Sequence, residues 1–111
     1  MDLKEEQVGS VTVLQVKGRL DSTTSPMLGE RLTAMLGAAK ARVLLDFGQL
    51  EYISSAGFRV LLQAAKRAEQ NASKLVLCGI SGKVRQLFDL GGFLDLFSIT
   101  ATRNDGIAAA G

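Results

Sequence analysis

Histidine does not occur in this 111-residue chain, and cysteine and proline occur once each. Without histidine there is no imidazole acid–base catalysis and no serine or cysteine triad built on His. Most zinc chemistry is excluded as well. A single cysteine, Cys78, cannot form an internal disulfide, which fits a reducing compartment. It ends an apolar run with no cationic cluster nearby in sequence, so a buried, inert thiol is expected rather than a nucleophile. No apolar run approaches the ~20 residues that span a bilayer. The opening Met1-Asp2-Leu3-Lys4-Glu5-Glu6 is too acidic for a secretory signal, so a cytoplasmic location without direct membrane insertion is expected. Basic residues are scattered, and the net charge is only +2. The longest basic cluster is Lys66-Arg67, with no interleaved aromatics, so no nucleic-acid partner is expected.

What is present suits one soluble domain over residues 1–111: 47% hydrophobic and 22% charged residues. Val8-Gly9-Ser10 reads as a turn between two short strands. Alternating apolar residues predict a strand over about 11–17, ended by Gly18. Asp21-Ser22-Thr23-Thr24-Ser25 is a run of turn and cap formers, and Pro26 suits a first helical position. The helix that follows should bury Leu28, Leu32, Met35, Leu36 and Ala39. Val43–Phe47 is a nearly continuous apolar run, as expected of a strand covered on both faces. Leu50–Ile53 leads into Ser54-Ser55-Ala56-Gly57. The next helix should bury Phe58, Leu61, Leu62, Ala65 and Ala68. Leu75–Cys78 is another buried strand. Ser81 should cap a third helix bearing Val84, Leu87 and Phe88 inward, stopped by Gly91-Gly92. Phe93, Leu96, Phe97 and Ile99 should supply a last strand. Residues 104–111 should be a brief helix or a frayed tail. The order β-β-α-β-α-β-α-β predicts an α/β domain. Its mixed, mostly parallel sheet has four to five strands with helices packed on it.

Few motifs carry chemistry. Gly79-Ile80-Ser81-Gly82-Lys83 lies between a strand and a helix. A phosphate-binding loop would need glycine at Leu77 and Ser or Thr at Val84, so an ordinary turn is favoured. Asp21, Asp46 and Glu51 could pair only if folding joined them, and no local ligand cluster supports a metal or cofactor. The informative stretch is Tyr52–Leu62, where two hydroxyls sit between a strand and an amphipathic helix. Serine there caps the helix, or it carries a phosphate that the helix N-terminus tolerates. Base rates favour the cap. The Ala-Gly that follows leaves the corner sterically open.

Four stretches together resemble the STAS domain of the anti-sigma-factor antagonist family, over about residues 1–100. They are Gly18-Arg19-Leu20-Asp21, Val43–Phe47, Tyr52–Gly57 and Arg59–Leu62. The resemblance implies an adaptor, not an enzyme. It implies binding to an anti-sigma factor, commonly a serine kinase of GHKL type, until one serine is phosphorylated. A serine phosphatase would reverse the switch. By position the acceptor matches Ser55. Ser54, where many members carry aspartate, is the second candidate. Asp21, Ser22, Ser54, Ser55, Ala56, Gly57 and Arg59 would form the partner surface. The alternative is a STAS module without the phosphoswitch, a scaffold or cytoplasmic component of a lipid- or anion-transport assembly.

Overall fold

A computed structural model describes residues 1–111. The chain order is β1 (Asp2–Val8), β2 (Val11–Leu20), α1 (Ser25–Leu36), β3 (Arg42–Ile53), α2 (Ser55–Gln70), β4 (Lys74–Cys78), α3 (Gly82–Leu90), β5 (Ser98–Thr100) and α4 (Arg103–Ala110). The sheet follows the order β1-β2-β3-β4-β5. The β1–β2 hairpin is antiparallel and every other pairing is parallel. This is the expected α/β architecture with five strands.

Two apolar layers explain the strand patterns. One face of the sheet carries Leu14, Val16, Val43, Leu45 and Phe47 against α1, α2 and α3. The other carries Val11, Val13, Leu44, Val76 and Cys78 against Ala110 and Ile107 of α4. Strands covered on both faces cannot alternate apolar with polar, which is why Val43–Phe47 reads as an apolar run. The tail is therefore a helix that closes the second layer. Its Gly106 lets the backbone approach Leu44 so closely that a Cβ would lie 2.6 Å from Leu44 Cδ1.

Several expectations shift. β2 continues past Gly18 to Leu20. Gly18 adopts φ +107° and the register slips beside it, so the glycine bends the strand instead of ending it. β3 runs unbroken from Arg42 to Ile53. α1 stops at Leu36, leaving Ala39 exposed. On α2 the buried face includes Ala64, while Leu62 is exposed. Phe93 and Phe97 lie outside the last strand, which spans only Ser98–Thr100. Phe93 stacks on Phe58 at 4.2 Å between ring centroids, and Phe88 meets Phe58 edge-on at 4.8 Å. Leu96 is exposed.

Candidate functional site: a paired-loop corner at the start of α2

The parallel β2–β3 ladder ends with Leu20 opposite Ile53. The loops that follow leave the sheet side by side, and Ser54 N–H donates to the Leu20 carbonyl at 2.9 Å. This bond joins the Asp21 loop to the serine corner.

The first loop is held by its own polar groups. Asp21 Oδ1 accepts from the N–H groups of Thr23 and Thr24, each at 3.0 Å. Thr24 Oγ1 donates to the Arg19 carbonyl at 2.7 Å and accepts from Asp21 N–H at 2.9 Å. The buried Ser25 hydroxyl donates to the Asp21 carbonyl. The Thr24 N–H bond, then the other loop bonds and nearby Arg19, hold the Asp21 carboxyl below its ordinary range. Its ionised form therefore braces the loop, and Ser22 stands exposed on it.

The two serines divide the work. Ser54 is the N-cap residue, with extended backbone, and its Oγ accepts from Gly57 N–H at 3.3 Å. Ser55 is the first helical residue and is exposed. Ala56 is half-buried, and Arg59 is exposed one turn along. Gly57, expected in a sterically open corner on the partner surface, lies beneath that surface. It is buried, and a Cβ there would lie 2.8 Å from Ile53 Cγ1 and 2.9 Å from Leu20 Cγ. Its bareness lets α2 seat on both strand ends. It is a packing residue.

The remaining candidates disperse. Asp46 pairs with Arg103 at 2.8 Å, and Arg103 also reaches Glu6 at 2.9 Å. The Asp46 hydrogen bond, chiefly, raises the Arg103 pKa further. Burial and neighbouring Asp46 push the Cys78 thiol up to about 12, which removes thiolate character. No three His, Cys, Asp or Glu side chains converge. Ser81 occupies the N-cap position of α3 but makes no side-chain cap bond. Gly79 packs at φ +75° against Gly48, as an ordinary tight turn does. No helix is long and apolar enough to cross a membrane. The sequence reading missed Thr24 and Ser25 as loop braces, though both lie in the cap-forming run it singles out. It also missed a cluster of Arg19, Tyr52 and Lys83.

The STAS domain family model matches residues 2–106. The chain belongs to the STAS family. A relative in Bordetella bronchiseptica, BtrV, provisionally assigned as an anti-sigma factor antagonist, is 36% identical over 98% of this chain and 94% of its own. Among solved structures, an anti-sigma factor antagonist from Mycobacterium paratuberculosis shares the fold at a TM-score of 0.87. That match has 20% identity and covers 98% of this chain and 92% of the other. The phosphorylated form of the Bacillus cell-fate determinant SpoIIAA superimposes at a TM-score of 0.72, with 21% identity, over 97% of this chain and 98% of that one.

Proposed function

We propose that this STAS domain is an anti-sigma factor antagonist that works by partner switching. With Ser55 unmodified it binds an anti-sigma factor that is also a serine kinase of GHKL type, and this frees a sigma factor. Phosphorylation of Ser55 breaks the complex, and a serine phosphatase restores it. The reading places the protein in the cytoplasm as a regulator without catalysis of its own. Asp21, Ser22, Ser54, Ser55, Ala56 and Arg59 form the contact surface around the corner, with Gly57 beneath it.

The observation that carries this reading is the division of labour between the serines. Ser54 satisfies an orphan N–H of α2, so Ser55 is free to change chemically without loss of the cap. A phosphate at the first helical position adds about 1.5–2 negative charges where the helix dipole favours them. The fold should therefore persist, and the change falls on the interface. A dianion pressed against a surface formed for a neutral hydroxyl is desolvated without compensation. A loss of about 3–4 kcal/mol weakens binding a few hundredfold.

The test is incubation with the anti-sigma kinase of the same organism and ATP, followed by mass spectrometry. One phosphate on Ser55, abolished in Ser55→Ala, is expected. Ser55→Ala should stay bound with ATP present. No phosphate on either serine would refute the switch and favour a scaffolding role.

A further inference from the structure

Arg19, Tyr52 and Lys83 come from β2, β3 and α3 and meet beside the serine corner. Arg19 and Tyr52 are partners in the β2–β3 register. The Arg19 guanidinium carbon lies 4.4 Å from the Tyr52 ring centroid, and Lys83 Nζ lies 5.8 Å from it. The ring attracts both cations through its quadrupole. Both are exposed, and neither belongs to any of the three ion pairs in the molecule. Arg59 on α2 and Arg85 on α3 are likewise exposed and unpaired. Asp21, the acid nearest Arg19 in the chain, feels the Arg19 charge, but one of its oxygens is occupied by the Thr23 and Thr24 amides and it makes no ion pair with Arg19.

We infer that this cluster receives an acidic segment of the protein partner, a contact that rests on the antagonist reading. Two exposed cations drawn to one ring leave positive charge there without an ion-pair partner, so an acidic chain fits here and a basic one does not. The same arrangement gives the phosphate its leverage. A dianion at Ser55, three residues beyond Tyr52, draws on the same cations and repels the partner's carboxylates. The net charge of +2 falls to about zero with a phosphate of about two charges.

The test uses Tyr52 as its own reporter, since the chain has one tyrosine and no tryptophan. The full chain is titrated with a short oligoglutamate peptide, with oligoglutamine of equal length and inorganic phosphate as controls. Oligoglutamate should change Tyr52 emission saturably. The change should be lost in the Arg19→Gln/Lys83→Gln double variant, whose melting temperature verifies folding. A response to oligoglutamine as large as to oligoglutamate overturns the inference, and so does an equal response to phosphate alone. A second arm measures affinity for the purified anti-sigma kinase. The double variant should bind at least about tenfold more weakly near 0.05 M salt and converge on wild type near 0.5 M. Unchanged affinity overturns the inference while leaving the antagonist reading standing. A kinase that does not bind the wild-type chain defeats the antagonist reading, and the peptide arm still decides the chemistry of the cluster.

Discussion

Ser55→Asp should make the domain more stable while making it a worse partner. Ser55 opens α2, so a carboxylate there meets the positive end of the helix dipole, worth about 0.3–1 kcal/mol. It also stands one turn before exposed Arg59, and an acidic–basic pair at this spacing contributes about 0.2–0.5 kcal/mol. The Ser54 cap is untouched. The gain is then roughly 0.5–1.5 kcal/mol. Unfolding entropy for a domain of this size makes each kcal/mol worth about 4 °C, so the melting temperature should rise by about 2–6 °C. Circular dichroism melts at pH 7 and low salt measure this. The new carboxyl is more acidic in the folded state than in the unfolded one. Its contribution is therefore present above the unfolded pKa of about 3.9 and fades as pH falls through the lower folded value. Salt near 1 M should shrink it. Titration against the kinase should meanwhile show binding weaker than wild type. A melting temperature lowered by several degrees at pH 7 would refute the claim that Ser55 is free of structural duty. A stabilised variant with wild-type affinity would refute the charge mechanism.

Ser54→Ala should lose about 0.5–1 kcal/mol, or about 2–4 °C in the melt, because its long cap bond is at the weak end of such interactions; an unchanged melt would remove it as the cap. Gly57→Ala should cost roughly 1–2 kcal/mol, since the clash with Leu20 and Ile53 outweighs the gain in helix propensity; a stabilised variant in denaturant titration would contradict that close packing. Asp21→Asn should flatten the acid limb of the stability–pH curve. The lowered carboxyl contributes above its unfolded pKa and loses that contribution as pH falls through the folded one, so an identical acid limb would count against the bracing role. Cys78 should react with a thiol reagent at pH 8 only as fast as the protein opens, and rapidly in denaturant; fast labelling of the native state would disprove its burial.

The element order is legible because local patterns and tertiary demands agree. Val43–Phe47 is apolar throughout because both faces are covered, and α2 presents a periodic buried face. The cap-forming residues at Asp21–Ser25 and Ser54-Ser55 mark where β2 and β3 end, but only the family resemblance, and then the sheet order, makes their loops neighbours. Which serine caps α2 is not readable, because either hydroxyl satisfies the same local rule. Phe93 reads as strand by composition, but a stacking partner at Phe58 lays it half-buried against the core instead. The Arg103–Asp46 pair spans 57 positions, and no local signal announces such a contact. Gly57 reads as open space and serves as close packing, since a missing side chain looks the same in sequence either way. Arg19, Tyr52 and Lys83 become one cluster only through the sheet register and the placement of α3.

The last helix has a consequence for how this domain can be handled. Arg103 grips β1 and β3 at once, and Ala110 and Ile107 roof Val11, Val13, Leu44 and Val76. Trimming the chain before Thr102 would strip an oily sheet surface bare on the face opposite α2. Such a fragment would self-associate for reasons unrelated to regulation. Fusions and deletions at this terminus are therefore structural perturbations, and a bait lacking it would report stickiness in place of recognition.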